Sequence, residues 1–252
     1  MPAIYRELAL AQAREMFRDL KTLFLTVLYP FVILALFLFV NAVTPEHPGG
    51  PSADAMAIAM TLFLSTGAVG FFGIATPLVA LRERGTLRLL STTPLRRATL
   101  LAAQAPSRLA VAFGQLAVVI GIGLGLGAVT PSRIPMLLVT CLLGLVVFAA
   151  LGYVIGGRAP SAESTSTIAS IGLVLLMFAS GLVFPLDSLP GAVQAAARVL
   201  PTTYLGDMLR HFALGVPAQY PPALGVAVIL GFAAALAAVA VRTFRWDAGE
   251  RA

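Results

Sequence analysis

The stretch IPMLLVTCLLGLVVFAALGYVIGG, residues 134–157, contains no Asp, Glu, Lys or Arg. A helix of about 20 apolar residues spans the hydrocarbon core of a bilayer, so this stretch is long enough to cross a membrane. Five more uncharged runs follow the same rule, at residues 22–45, 55–81, 109–132, 164–186 and 211–241. These runs predict six spanning helices, at about 23–42, 56–80, 109–129, 135–155, 168–184 and 222–241.

The composition supports a membrane protein. Of the 252 residues, 59% are hydrophobic and 11% are charged, whereas soluble domains carry about 25% charged residues. A very apolar soluble helical protein is the alternative, and six long uncharged runs in one chain argue against it. An outer-membrane barrel is disfavoured because its strands alternate in polarity. The predicted fold is an all-α integral membrane domain over residues 1–252.

Basic residues are distributed unevenly between the two sides of the six predicted spans. One side, which includes both termini, holds 14 Lys and Arg residues and the other holds three, namely Arg133, Arg198 and Arg210. Because Lys and Arg collect on the cytoplasmic side of membrane proteins, both termini are predicted to be cytoplasmic. This bias accounts for the net charge of +6 without nucleic-acid binding.

The N-terminal segment, residues 3–21, has an amphipathic pattern. Its apolar residues recur at helical spacing, whereas its charged residues, among them Arg6, Glu7, Arg14 and Arg18, lie mostly opposite. Such a segment can lie in the inner membrane surface with its arginines against anionic lipid head groups. The alternative is an ordinary extension of the first span. An interface helix over 3–21 is the preferred prediction.

Several chemistries are absent from the sequence. No predicted span contains Asp, Glu, Lys, Arg or His, which argues against proton coupling and voltage sensing. A phosphate-binding loop needs glycines before a lysine, and Lys21, the chain's only lysine, lies in DLKT with no preceding glycine. His47 and His211 lie in separate external segments, so no metal site is predicted. We expect neither catalysis nor a cofactor in this chain.

The segment 185–215, between the fifth and sixth predicted spans, is long and patterned. Asp187 or Ser188 is predicted to cap a short helix that has Pro190 in its first turn, and Pro201 is predicted to end it. A second short helix is expected to start near Thr202 or Thr203. Whether this broken segment lies outside the membrane or re-enters it is left open.

Glycine and proline positions predict features of the spans themselves. Gly152 and Gly156 have the four-residue spacing that lets helix backbones approach closely, and the glycines of 121–127 have overlapping spacings of the same kind. Pro30 within the first span predicts a kink.

The segment LRERGTLRLLSTTPLRRATLLAAQ, residues 81–104, resembles the inner loop of ABC type-2 exporter permeases. The resemblance rests on an acidic-basic pair, Gly-Thr-Leu and a short helix ending near a proline, matched here by Glu83, Arg84, Gly85, Thr86, Leu87, Leu90 and Pro94. The external segment is also similar, at Pro185, Pro190, Pro201, Tyr204, Asp207 and Arg210. Arg88 departs from the pattern, since many relatives have Glu after Gly-Thr-Leu.

The resemblance implies an ATP-driven exporter. A separate cytoplasmic ABC ATPase dimer would bind ATP and Mg and would hold a coupling helix near 85–93, within the cytoplasmic loop 82–105. Arg82, Arg84 and Arg88 would contact acidic groups of that ATPase. A second permease, identical or similar, would complete the transporter in a bacterial-type plasma membrane.

The expected substrate is amphipathic or apolar, such as a drug, an antibiotic or a lipid, which would associate the chain with multidrug efflux and antibiotic resistance. Two alternatives stay open: an ATP-independent carrier or channel, and a membrane scaffold that does not transport.

Overall fold

The computed structural model describes residues 14, 20–43, 52–86 and 105–243, and every regular element within these residues is helical. We number the main helices α1 (Phe24–Val43), α2 (Ala53–Glu83), α3 (Ala105–Gly125), α4 (Pro131–Gly156), α5 (Ala162–Ala179), α6 (Gly191–Val199), α7 (Pro201–Leu209) and α8 (Pro222–Thr243). Six of them, α1–α5 and α8, are long and apolar enough to cross a membrane. The predicted all-α fold with six spans is therefore confirmed.

Helix α2 lies at the centre of the bundle. Its most apolar segment is completely buried, and it packs against α1, α3, α4, α5 and α7. By contrast, α1, α5 and α8 bury only 17%, 28% and 22% of the corresponding segments. A central helix can be surrounded on all sides only if its neighbours approach closely, which small side chains permit. The sequence of α2 supplies such residues over Ala53–Gly70, which is rich in Ala, Ser, Thr and Gly.

The closest approach is between α2 and α4. A Cβ atom on Gly152 would lie well within 3.0 Å of the Gly70 carbonyl oxygen, and one on Gly156 would lie 2.9 Å from Cα of Ala75. The predicted glycine spacing in the fourth span therefore does bring two backbones together. In the third span, a Cβ atom on Gly121 or Gly125 would meet none of the described residues within 4 Å, so their spacing does not mark an intramolecular contact there.

Aromatic packing fills the space beside these glycines. The ring of Phe148 on α4 meets those of Phe63 and Phe71 on α2 edge to face, with centroids 5.3 Å and 5.5 Å apart. All three side chains are almost fully buried. Edge-to-face pairs of this kind add to the stabilisation that comes from burial alone.

Two spans contain a π-helical turn just before a proline. In α1 the turn covers Phe24–Leu28 and is followed by Pro30, and in α2 it covers Phe71–Ala75 and is followed by Pro77. Proline has no N–H and its ring collides with the carbonyl four residues earlier, so regular α-helical bonding cannot continue through it. The predicted irregularity at Pro30 thus takes the form of a wide turn, which lies next to the corresponding turn of α2.

The segment between α5 and α8 forms two short helices, α6 and α7, as predicted. The predicted cap is wrong: Leu186–Ser188 form a 3-10 turn, and α6 begins at Gly191 with Pro190 in the N-cap position and no side-chain cap. The Ser188 hydroxyl instead donates to the carbonyl of Pro185 at 2.7 Å. Pro201 separates the helices and is the first residue of α7, a position that proline favours.

Helix α7 enters the bundle. Most of its side chains are buried, and a Cβ on Gly144 of α4 would lie 3.0 Å from the Leu205 side chain of α7. Gly144 is the eleventh residue of the α-helix Ile134–Gly156. It therefore lies about 15 Å along that helix, or roughly half of a 30 Å hydrocarbon core. Helix α7 thus contacts the middle of α4 and does not merely cover the ends of the spans.

Candidate functional site

The predicted ATPase-coupling residues lie where α2 ends on the side of the chain termini. Arg82 and Glu83 belong to its last turn, and Arg84, Gly85 and Thr86 follow directly. The other predicted members of the set, Leu87, Arg88, Leu90 and Pro94, lie outside the described residues. The structure therefore locates the start of the coupling loop.

Arg82 binds the C-terminal end of α4. Its NH1 group donates to the carbonyls of Gly157 at 3.0 Å and Gly156 at 3.3 Å, and its NH2 group donates to the carbonyl of Ala159. The last carbonyls of a helix have no partner within the helix and carry partial negative charge. A guanidinium, with several N–H groups in a fixed plane, suits this position because it satisfies several such carbonyls at once.

Glu83 binds the start of α5, on the other side of the same connection. Its Oε1 atom accepts a hydrogen bond from the Ala162 N–H at 3.1 Å. The first N–H groups of a helix carry partial positive charge, so a carboxylate is favourable there. Ser161 caps the same helix end by accepting from the Ser164 N–H at 3.1 Å. We call the set of Arg82, Glu83 and the backbone of residues 156–162 the inner clamp.

The inner clamp assigns the two residues a role within the chain that the sequence prediction did not include. Arg82 and Glu83 were expected to meet an ATPase, yet in the structure they join the end of α2 to the ends of α4 and α5. The opposite charges of the two neighbours match the opposite dipole ends of the helices that they meet.

Gly85 ends α2 with a left-handed residue. Its φ is +70°, and its N–H donates to the Arg82 carbonyl at 3.0 Å. A Cβ here would meet none of the described residues within 4 Å, whereas the positive φ by itself favours glycine. The backbone is helical again at Thr86. Glycine within the Gly-Thr-Leu motif is thus the point where the chain turns away from α2.

Arg108 was predicted to lie between the second and third spans, on the cytoplasmic side. In the structure it belongs to α3, whose described residues start at Ala105, four before the predicted span, and it is only 3% exposed. Its side chain packs beside Gly73 in the π-helical turn of α2 and near Thr26 of α1. Helix α3 is one of the six helices of spanning length, so this helix contains an arginine, whereas the predicted third span, 109–129, contains none.

Gln115, one residue that the sequence reasoning missed, joins α3 to the π-helical turn of α1. Its side chain is 3% exposed, and its Nε2 group donates to the carbonyls of Thr26 at 2.8 Å and Val27 at 3.2 Å. The Thr26 carbonyl cannot receive the usual helical hydrogen bond because Pro30, four residues later, has no N–H. A single glutamine in an uncharged run, with a proline in a neighbouring span, was the available signal.

The outer residues singled out from the sequence hold α7 in place. Asp207 is buried and accepts hydrogen bonds from the N–H groups of Gln219 and Tyr220, each at 3.0 Å. Tyr204 donates to the Arg198 carbonyl at 3.1 Å, and its ring lies 4.9 Å from that of Tyr220.

Arg210 continues this anchoring on the side of α5. Its NH1 group donates to the carbonyl of Gly181 at 3.2 Å, in the turn that follows that helix. Pro185, Pro190 and Pro201 mark the turns and helix starts of the same segment. The residues predicted in the segment 185–215 therefore lie close together, and the contacts described for Tyr204, Asp207 and Arg210 hold α7 in position.

The remaining predicted residues are less informative. Arg14 of the predicted interface helix is helical and exposed, whereas Arg6, Glu7 and Arg18 lie outside the described residues. In the described part of the chain, no three His, Cys, Asp or Glu side chains are grouped closely enough to hold a metal ion.

Comparison with known proteins identifies the family. The family model described as ABC-2 type transporter matches residues 5–214. Nodulation protein J of Rhizobium leguminosarum bv. trifolii is 37% identical over 98 residues, which cover 37% of each chain. Nodulation protein J of Rhizobium meliloti (strain 1021) is 36% identical over 103 residues, covering 38% of this chain and 39% of the relative. The alignments thus span less than half of either relative's length.

The family match extends over most of the chain. It includes α1 to α7, the inner clamp and the buried polar residues of α3. Combined with six apolar helices of spanning length, this match describes a multi-pass membrane component of a transporter and not a catalytic subunit. The chain belongs to the ABC-2 type transporter family.

Proposed function

We propose that the chain is the membrane subunit of an exporter driven by a separate cytoplasmic ABC ATPase dimer. Membership of the ABC-2 type transporter family supports this role. The sequence contains no glycine-rich loop ending in lysine, so the nucleotide chemistry is assigned to the partner, which would bind ATP and Mg. The loop 82–105 is the proposed docking segment for that partner.

The inner clamp is the observation that carries the proposal. The docking loop leaves α2 at Arg82 and Glu83, and these two side chains bind the ends of α4 and α5. The most apolar segment of α2 is completely buried, so a displacement passed along this helix meets neighbouring helices and not lipid. Movement imposed on the loop by an ATPase would therefore reach α2, α4 and α5 together.

A second permease subunit is part of the proposal, and α5 supports it. This helix buries only 28% of its most apolar segment, yet its mean hydropathy of 1.5 is the lowest of the six spans. The similarly exposed α1 and α8 have values of 2.3 and 2.6. The exposed face of α5 includes Thr167 and the large apolar side chains of Ile168 and Ile171. This face is the proposed contact for a second permease.

The proposed orientation places both chain termini in the cytoplasm of a bacterial-type cell. The distribution of 14 basic residues on the terminal side against three on the other supports it. In this orientation the inner clamp faces the cytoplasm, on the side where ATP is available, and α6 and α7 enter the bundle from outside.

The proposed substrate class is amphipathic or apolar, since the spans offer mainly apolar and small side chains. The comparisons give no support to the expected association with multidrug efflux or antibiotic resistance, because the matching relatives are named for nodulation. We include a substrate linked with nodulation in this proposal, and a direct transport assay would test it.

Co-purification of the permease with its candidate ATPase tests the docking segment. We expect Leu90→Asp to abolish assembly, because it places a charge in the segment proposed to enter the ATPase groove. If the variant leaves assembly and ATP hydrolysis unchanged, the docking assignment is wrong. ATP-independent transport by the isolated chain in liposomes under an ion gradient would instead establish a carrier.

The inner clamp has a separate test in the assembled complex. A spin label placed at Glu163, at the exposed start of α5, reports whether that helix moves when ATP is added. We expect Arg82→Met to retain assembly and ATP hydrolysis but to reduce this movement. Arg242→Met, at the exposed end of α8, is the matched control and should leave it unchanged. Unaltered movement in Arg82→Met would refute transmission through the clamp.

A further inference from the structure

A groove between α1 and α3 lies beside the buried glutamine. Its volume is about 660 Å³, and its walls include Val27 and Phe31 from α1 and Gly114 and Val118 from α3. Val118 is 51% exposed, so the groove opens on the outer face of two spanning helices and therefore toward lipid. Volumes of about 300–1,000 Å³ are typical of sites for small organic ligands.

Gly114 gives the groove much of its depth. Among the described residues, a Cβ atom at this position would meet nothing within 4 Å, so none of the described helices occupies the space in front of it. Gly121, further along α3, is equally open but does not line the groove. A large side chain at position 114 would therefore fill the groove, whereas the same side chain at position 121 would not.

Gln115 lines this apolar wall and has a buried amide oxygen without a hydrogen-bond partner among the described residues. Its Nε2 group is committed to two carbonyls of α1, which fixes the orientation of the amide, because carbonyls can bind only the donor end. The other end, Oε1, is buried and accepts no hydrogen bond. Gln115 also lines the groove. A buried amide oxygen without a partner is unfavourable in an apolar environment, so a donor that reached it would bind with a net gain.

We propose that this groove binds a bilayer-resident amphiphile with one long hydrocarbon chain and a hydroxyl or amide N–H that donates to Oε1 of Gln115. An ordinary acyl chain fits the apolar walls but leaves the acceptor unpaired. A strongly polar solute satisfies the acceptor but not the walls. A donor-bearing amphiphile satisfies both, and it can enter sideways from the membrane. The site is independent of how transport is powered.

Photolabelling of the permease in phosphatidylcholine nanodiscs tests the site, since this lipid has no hydrogen-bond donor of its own. The probe is a long-chain alcohol carrying a diazirine, compared with its methyl ether, which has the same chain but no donor. Peptide mass spectrometry should locate adducts on α1 and α3 beside the groove. We expect about fivefold more adduct with the alcohol, the ratio that corresponds to one hydrogen bond of net strength near 1 kcal/mol.

Two variants locate the label. Gly114→Trp should reduce labelling by the alcohol to background, because the indole fills the groove, whereas Gly121→Trp should label like the original chain. Both must elute as monodisperse particles for the comparison to count. If Gly114→Trp does not fold, competition in the unaltered chain replaces it, and unlabelled alcohol should compete about fivefold better than its ether.

Three results would overturn the proposal. Equal labelling by alcohol and ether would show that Gln115 recognises no donor. Full labelling of a folded Gly114→Trp variant would show that the adducts do not come from the groove. Adducts confined to other helices would place the binding site elsewhere.

Discussion

Replacing Gly152 with alanine tests the closest helix contact in the molecule. A Cβ at this position would collide with the carbonyl oxygen of Gly70, and it would lie 3.2 Å from the carbonyl carbon. The obstacle is the backbone of a fully buried helix, so no side-chain rotation can relieve it. Overpacking costs about 1–3 kcal/mol, and a rigid obstacle favours the upper end. Alanine regains about 0.5–1 kcal/mol of helix propensity. The expected net loss is about 2 kcal/mol.

The single cysteine makes this loss measurable. Cys141 is 1% exposed on α4, so a thiol-reactive fluorophore added to the detergent-solubilised permease reports unfolding during heating. For a chain of this length, a loss of about 2 kcal/mol in stability lowers the thermal unfolding midpoint by roughly 4–8 °C. The control is Gly121→Ala, also in a spanning helix but with nothing within 4 Å, which should raise the midpoint by about 1–4 °C. If Gly152→Ala unfolds within a degree of the unaltered chain, α2 and α4 are not in backbone contact.

Three further substitutions test the ends of the bundle. Arg82→Met should lower the thermal unfolding midpoint by about 2–4 °C, because it removes the donors to the α4 carbonyls. The loss corresponds to about 1 kcal/mol of stability for this partly exposed group. Arg82→Lys should recover part of it. Gly85→Ala should lose about 1–2 kcal/mol of stability in the same assay, because residue 85 has a left-handed φ. Gly85→Asn should lose less stability, since asparagine tolerates this conformation better. An equal loss in both variants would contradict the conformational explanation. Asp207→Asn should speed amide hydrogen exchange by roughly tenfold at whichever of Gln219 and Tyr220 faces the new NH2 group, because that N–H loses its acceptor. Unchanged exchange at both would show that the carboxylate does not hold this turn.

Charged residues near span ends show where sequence reasoning succeeds and where it fails. The uncharged runs located six spans because the bilayer imposes length and polarity on each helix separately. The sequence placed Arg108 between two spans because hydropathy assigns any arginine beside an apolar run to water. The structure buries its side chain beside Gly73 of another helix. A neighbour 35 positions away in sequence cannot be read from the local pattern.

Arg82 and Glu83 illustrate the same limit for the candidate site. The sequence motif drew attention to both residues, but their partners are backbone groups of residues 156–162. Backbone donors and acceptors exist at every residue, so nothing in the side-chain pattern distinguishes these. The docking partner of Arg88, which lies outside the described residues, stays a prediction.

The sequence by itself determined the membrane class, the number of spans and the broken helical segment 185–215. Each of these depends on local composition or on the missing N–H of proline. Only the tertiary structure decided that α2 is the central helix, that Gly152 and not Gly121 meets a neighbouring backbone, and that Gln115 serves the turn before Pro30. These outcomes depend on which helices are adjacent. Lipid is as apolar as the helices, so the hydrophobic effect does not decide which helices pack together. Shape and hydrogen bonding between residues far apart in the chain decide it instead.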